Sequence, residues 1–364
     1  MKILLIGEYS NVHATLAKGL NHLGHEAMVV SNGDDWKNYH RDIDVSRTYG
    51  PFGGIKLYAK LLTLLPKLRG FDVVQLINPM FFELKAERLR FFYVFLRRHN
   101  KHVVLGAFGM DYYWVHECIT RFPLRYSDFN IGKHVRTDEE SQRYIRDWVG
   151  TAKGDWCQYV AKDADKIIAG LYEYWACYQP IFPEKTVFCP FPIIPSHTTY
   201  RPFDGKLHLF IGINKTRNRY KGTDIMLKAA QKIVENYPEK ADLQVAESIP
   251  FEDYVKMMGK SDVILDQLYS YTPSMNPLEA MSQGLICVGG GEPENYDIIN
   301  EHELRPIINV ELNESSVYQA LYELILHPER INTLKRESIA YIERHHDYIN
   351  VAQKYIAFYE QLDH

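Results

Sequence analysis

The sequence is short of several things, and each absence removes a class of protein. Its five cysteines, Cys118, Cys157, Cys177, Cys189 and Cys287, are scattered, odd in number and never spaced CxxC. That pattern argues against a disulfide framework and fits reduced thiols in a core. There is no excess of positive charge: 42 Lys and Arg against 46 Asp and Glu give a formal net charge of -4. A nucleic-acid partner therefore has no electrostatic footprint. Residues 2–7 are apolar only as far as Glu8, too few for a signal peptide, and no apolar run reaches a bilayer span. The expected protein is cytoplasmic and at most attached to the inner face of a membrane. The first strand-to-helix turn, Gly7-Glu-Tyr-Ser-Asn-Val-His13, has one glycine where a dinucleotide fold carries GxGxxG. That disfavours a nicotinamide dehydrogenase. Asp42-Ile-Asp44 and Asp163-Ala-Asp165 lie away from strand carboxyl ends, and His345 and His346 are adjacent and so point apart on a helix. No metal site is expected from them.

What is present is an alternation of apolar strands and amphipathic helices long enough for two cores. Strands are expected at 2–7, 26–31, 73–77, 102–106, 166–169 and 186–189, with helices at 12–23, 55–68, 84–98 and 171–178 between them. Residues 111–154, polar and aromatic, exceed a normal connection and read as a lid or acceptor-binding insertion. The run Pro190-Phe-Pro-Ile-Ile-Pro195, then Pro202 and Gly205, cannot be helical and marks a linker. The alternation restarts with strands at 207–211, 243–246, 263–267 and 285–288 and helices at 223–236, 251–258 and 277–283. Two tandem doubly wound domains follow, divided at that linker. Ligands of such sheets sit beyond the carboxyl ends of the strands. The basic amphipathic stretches 56–69 and 85–101 suit an anionic membrane surface, with ordinary sheet-covering helices as the competing account.

Two loops at those strand ends carry chemistry. Gly212-Ile-Asn-Lys215-Thr-Arg217-Asn-Arg219-Tyr-Lys221-Gly222 concentrates cations before a helix. Lysine and arginine beside a helix N-terminus suit phosphate oxygens, and Gly222 lets the backbone approach closely; a solvated loop is the alternative for Arg217 and Arg219. In Ser270-Tyr-Thr-Pro-Ser-Met-Asn-Pro-Leu-Glu279, Asn276 can cap a helix that opens on Pro277 and ends at Gly284. The N–H groups of that helix, near Ser274 and Met275, then face an anion such as a diphosphate. Asn276 and Glu279 also have capping-box spacing, so Glu279 either reads a ligand or bonds back to the backbone. Glu292, after Gly289-Gly-Gly291, suits sugar hydroxyls, with a plain turn as its competitor. Glu8, Tyr9 and His13 in the first turn are acceptor-side candidates, a solvent-exposed His13 being the alternative.

Taken together, the basic loop ending Lys221-Gly222 and the segment Leu278-Glu279-Ala-Met-Ser-Gln-Gly284 resemble glycosyltransferase family 4, whose members have the GT-B fold. The resemblance covers most of the chain, with the tail 347–362 similar to the family's closing helix, which implies domains of 1–195 with 345–364 and of 203–344. It implies two Rossmann-like domains facing a central cleft, and retaining transfer from a nucleotide diphosphate sugar to a glycan or lipid-linked saccharide hydroxyl, as in cell-surface polysaccharide synthesis. No metal or other cofactor is implied. Glu279 matches the family's ribose-contacting glutamate. Lys215, or Arg217 in its place, and Lys221 match the cations on the diphosphate. The sequence departs from the family twice: Tyr271 stands eight positions before Glu279 where the family has a second glutamate, and Phe108 stands where it has a histidine, although Gly109 and Asp111 keep that motif's shape. Asp111 is thus the N-domain candidate for chemistry. Glu292 or the 274–276 backbone becomes the substitute sugar contact. Two alternatives remain open, a nucleotide-sugar-binding or regulatory protein without turnover, and a sugar-nucleotide epimerase needing carboxylates in both domains.

Overall fold

The computed structural model describes residues 1–196, 200–213, 218–247, 249 and 251–363. Its strands, in chain order, are β1 (Lys2–Ile6), β2 (Glu26–Ser31), β3 (Ile43–Asp44), β4 (Val73–Leu76), β5 (His102–Ala107), β6 (Asn130–Ile131), β7 (His134–Val135), β8 (Lys166–Ala169), β9 (Thr186–Phe188), β10 (Leu207–Ile213), β11 (Ala241–Glu247), β12 (Val263–Leu265) and β13 (Ile286–Val288). The chain divides into two compact units. One comprises Met1–Pro123, Arg143–Pro192 and Tyr348–His364; the other comprises Leu124–Gln142 and Ile193–Asp347.

The first unit is a parallel seven-stranded sheet in the order β3-β2-β1-β4-β5-β8-β9. In β1, Ile3, Leu4, Leu5 and Ile6 are all fully buried, as a strand covered on both faces requires. The helix Val12–His22 starts where the chain leaves β1 through Gly7. Gly7 has φ +87°, and a Cβ there would lie 2.2 Å from Ile77 Cγ2, so a side chain is excluded twice over. The helix Ala86–His99 buries Leu89, Phe92, Tyr93 and Leu96, as a sheet-covering helix does. The helix Gly53–Leu64 buries Leu57 and Leu61 and leaves Ile55 and Leu62 exposed. The helix Tyr348–Glu360 belongs to this unit and lies so close to Val12–His22 that a Cβ on Gly19 would be 2.4 Å from the Tyr348 carbonyl oxygen.

The second unit is a parallel four-stranded sheet, β11-β10-β12-β13. Its core gathers Leu209, Ile211, Val263, Leu265, Ile286 and Val288 from the strands with Met226, Ala230 and Ile233 from the helix Thr223–Asn236.

The insertion, expected as a lid or acceptor-binding segment, has regular structure of its own. It contains the helices Tyr112–Thr120 and Glu139–Trp148, the antiparallel pair β6-β7 and the start of the helix Ala152–Asp163. Its central part, Leu124–Gln142, belongs to the second unit rather than the first. The reason is chemical: its arginines and aromatics find their partners there, on Tyr220, Tyr269, Tyr271, Glu292 and Glu294. Among the described residues no helix is long and apolar enough to cross a membrane, and no group of three or more His, Cys, Asp or Glu side chains is placed to hold a metal ion.

Candidate functional site

In the second unit the candidate donor residues gather at the carboxyl ends of β10, β12 and β13. Lys215 and Arg217 lie outside the described residues. Lys221 closes the short helix Asn218–Lys221, and Gly222 follows with φ 73° as the N-cap of Thr223–Asn236. A Cβ on Gly222 would come within 2.7 Å of Leu268 Cβ and 2.8 Å of the Tyr269 ring, so only glycine lets this turn press against the loop after β12. The Leu268 N–H donates to the Lys221 carbonyl at 3.0 Å and joins the two loops. Lys221 is half-buried, and no carboxylate pairs with its ammonium among the described residues.

The second helix begins earlier than its sequence suggests. It spans Met275–Ser282, with Ser274 at the cap in an extended conformation and no side-chain cap. Asn276 is therefore not the cap. Its amide donates to Asp266 Oδ1 at 2.6 Å and accepts from the Tyr254 hydroxyl at 3.0 Å. Tyr254 lies so close to Gly212 that a Cβ there would be 2.7 Å from the hydroxyl. Asn276 thus ties the ends of β10 and β12 together. With the helix starting at Met275, Glu279 lies beyond the first turn and the capping-box account lapses. Glu279 Oε1 accepts from Gln283 Nε2 at 3.2 Å, while Oε2 has no partner among the described residues. Burial raises the pKa of this carboxyl, offset in part by Gln283. Two helix N-termini without a side-chain cap, at Thr223 and Met275, hence lie at the ends of the paired strands β10 and β12, each presenting a positive dipole end.

The sugar-side expectations change. Tyr271 is 1% exposed. Its hydroxyl oxygen accepts the Arg125 backbone N–H at 2.7 Å, its ring packs on Tyr126 with centroids 4.7 Å apart, and the Arg125 guanidinium lies 5.0 Å from that ring. Glu292, the N-cap of Pro293–Ile298, is not free to read a sugar. Its Oε1 accepts from the Tyr126 hydroxyl at 2.6 Å and its Oε2 from Arg125 Nη2 at 2.8 Å, while Arg125 also forks onto Glu294. Sequence reasoning missed Arg125, Tyr126 and Arg136, because their partners lie some 80 to 170 residues away in the chain.

In the first unit, three candidates are structural groups. Glu8, 2% exposed, accepts the N–H groups of His13 at 3.3 Å and Ala14 at 2.8 Å. Its carboxyl group fills that helix start, where a phosphate would otherwise sit. Burial, opposed by those N–H bonds, raises its pKa to about 8. His13 is fully buried, neither acceptor-facing nor solvent-exposed. Nδ1 bonds the Gly7 carbonyl at 2.8 Å and Nε2 meets Gln75 Nε2 at 3.0 Å, whose Oε1 accepts from the Tyr359 hydroxyl. Burial lowers its pKa to about 3, so it is neutral. Asp111 is also fully buried: Oδ1 caps Tyr112–Thr120 through the Trp114 N–H at 2.8 Å, and Oδ2 accepts from Tyr178 at 2.8 Å. Burial raises its pKa to about 6. With both oxygens engaged it is a cap and not a reacting group. Tyr9 is half-buried against Gly109, where a Cβ would meet its ring at 2.9 Å. Phe108 packs edge-on to His13 and Phe191. Asp163 and Asp165 are held by Tyr93 and Arg97, and Asp44 by Arg41 and Ser46.

Glu8 gives a pH prediction. Its folded pKa lies above its ordinary 4.5, so the stability its proton provides is complete below about 4.5 and is lost as pH rises toward about 8. His13 acts oppositely, its contribution being lost as pH falls from 6.5 toward 3, and Asp111, half titrated at about 6, is mostly ionised by 6.5. Between pH 6.5 and 8 only Glu8 of these three is left, and the first unit should lose about 2 kcal/mol. Urea titrations across that window should show the decline and Glu8→Gln should flatten it. Equal slopes would mean that Glu8 is already ionised in the folded chain.

No family model matches this sequence, and no curated protein matches it either. Solved structures do. HepE from Anabaena, in complex with UDP, superposes with a TM-score of 0.60 at 13% identity, covering 99% of this chain and 100% of that one. UDP-GlcNAc 2-epimerase from Neisseria meningitidis, bound to UDP-GlcNAc, gives 0.55 at 11% identity over 99% and 100%. WaaG, a glycosyltransferase involved in lipopolysaccharide biosynthesis, gives 0.55 at 12% identity over 97% and 98%. The fold is GT-B-like, an architecture that glycosyltransferases and UDP-GlcNAc 2-epimerases share.

Proposed function

We propose that the second unit binds a nucleoside diphosphate sugar and that the protein is a family-4-like glycosyltransferase, passing the sugar to a hydroxyl of a glycan or lipid-linked saccharide with retention of configuration. The observation that carries this reading is the pair of uncapped helix N-termini at the ends of β10 and β12, with Lys221 before one and Glu279 one turn inside the other. Diphosphate oxygens match the helix N-termini that lack a side-chain cap and the ammonium, and ribose hydroxyls match a carboxylate with an open oxygen. Negative charge grows on the departing diphosphate as the glycosidic bond breaks. Preplaced N–H dipoles and Lys221 stabilise that charge where it develops. The acceptor hydroxyl then attacks from the leaving-group face, and its proton passes to the departing phosphate oxygen, so no side-chain base is needed. The burial of Asp111, Glu8 and His13 agrees with such a route and weighs against the epimerase, which needs an available carboxylate in the first unit. The UDP and UDP-GlcNAc bound by structural neighbours support the donor class. Tyr271 and Glu292, both engaged by Arg125 and Tyr126, favour a second reading, nucleotide-sugar binding without turnover.

Purified protein incubated with a panel of nucleotide sugars and saccharide acceptors, followed for thermal stabilisation and for release of free nucleotide, separates the two. Stabilisation with release supports transfer; stabilisation without release across the panel supports the binding protein; no stabilisation defeats both. Glu279→Ala is expected to weaken the free nucleoside by roughly tenfold or more, read by calorimetry, because the ribose loses its charged acceptor. An unchanged nucleoside affinity would place the ribose elsewhere.

A further inference from the structure

The segment Leu124–Gln142 leaves the first unit, folds with the second and returns to the first. Within the second unit it holds all three loops of the candidate donor site. Arg125 and Tyr126 hold Glu292 and Tyr271, as described above. At the phosphate end the grip is closer. Tyr220, the residue before Lys221, is 6% exposed and held at three points: its ring meets Phe129 edge-on at 6.2 Å, its N–H donates to Glu140 Oε2 at 3.1 Å, and its carbonyl accepts from Arg136 Nη1 at 3.1 Å. The same guanidinium lies 4.2 Å from the centroid of the Tyr269 ring, against which Gly222 is packed. Arg136 is itself fixed by Asp138 at 3.1 Å, and Asp138 by the Ser141 N–H and hydroxyl.

A planar cation that bonds the backbone on one side of Lys221 and stacks on the ring beneath Gly222 fixes the turn between them before any ligand arrives. We propose that Arg136 is a positioning residue for the diphosphate, presetting the Lys221-Gly222 turn and the N–H groups that follow it, and that Leu124–Gln142 is a working part of the donor site of the second unit. This rests on the reading of Lys221 as the phosphate-side cation. A preset turn spares the ligand the ordering of the loop, so its loss should be felt by phosphate oxygens and not by the nucleoside, which Glu279 holds on a different helix.

The test compares UDP with uridine on the full chain by isothermal titration. Arg136→Ala should weaken UDP by about tenfold while leaving uridine within about twofold, and Arg136→Lys, which keeps a donor for the Tyr220 carbonyl but not the stacked fork, should fall between. Equal losses for UDP and uridine, or no loss for either, would overturn the proposal and make Arg136 general scaffolding. If Arg136→Ala does not fold, Arg136→Lys decides on the same comparison. A native chain that binds neither ligand defeats the donor-site reading and this proposal together; one that binds both, with variants that do not discriminate, defeats this proposal alone.

Discussion

Replacing Lys221 by alanine is expected to slow sugar transfer by roughly two to three orders of magnitude while changing the affinity for free nucleoside by less than about threefold. The effect is large because the ammonium is useful mainly when the leaving diphosphate gains charge, and an interaction that strengthens in the transition state is lost from the rate rather than from ground-state binding. The nucleoside is spared because Glu279 lies on the helix Met275–Ser282, where Gln283 holds it, and not on the Lys221 turn. The substitution should not disturb the fold: the bond that joins the turn to the loop after β12 uses the Lys221 backbone carbonyl, which alanine keeps. Steady-state rates at saturating donor, set beside calorimetry with the nucleoside, check both halves. Equal losses in rate and nucleoside affinity would point to a collapsed turn. An unchanged rate would remove Lys221 from the chemistry.

The regular elements were legible in the sequence because each is decided by neighbours in the chain. β2 and β8, the helix Thr223–Asn236 and the helix Phe251–Met258 keep their expected bounds, and Gly222 and Gly7 mark turns that a side chain would block. Local rules failed where a distant partner won. Asn276 has the chemistry of a cap, but Asp266 and Tyr254 claim its amide and the helix starts one residue before it. His13 and Asp111 have the chemistry of catalysis, but Gln75, Tyr178 and the surrounding sheet bury them. Glu8 looked like an acceptor contact because nothing in sequence shows that its carboxylate folds back onto the N–H groups of His13 and Ala14. The assignment of Leu124–Gln142 depends wholly on contacts far along the chain, and no periodicity encodes them. Glutamate, aspartate and histidine at strand ends therefore give the position of a site more readily than the role of each side chain.

Substituting methionine for Lys335 should cost the second unit about 3 kcal/mol or more of stability. Lys335 and Asp262 are 1% and 0% exposed, with Lys335 Nζ 2.6 Å from Asp262 Oδ1. Removing the lysine leaves a carboxylate in the interior with the His208 N–H at 3.0 Å and Arg201 at 3.5 Å, a partial compensation that keeps the loss toward the lower end of what breaking a buried pair costs. The pair joins the helix Ile331–His345 to the residue that precedes β12. Ile339 of that helix also packs where Gly284 ends Met275–Ser282, since a Cβ on Gly284 would come within 3.3 Å of Ile339 Cδ1. The ion pair thus anchors the floor under the helix that carries Glu279, and stability and nucleoside binding should fall together. Adding Asp262→Asn to Lys335→Met should recover part of the loss, because the amide removes the unpaired charge and keeps an acceptor for the His208 N–H. Urea titrations of both variants, compared at equal m-values, measure the coupling. A loss below about 1 kcal/mol for the single variant would mean that water reaches Asp262 and that the helix is held by its apolar face alone.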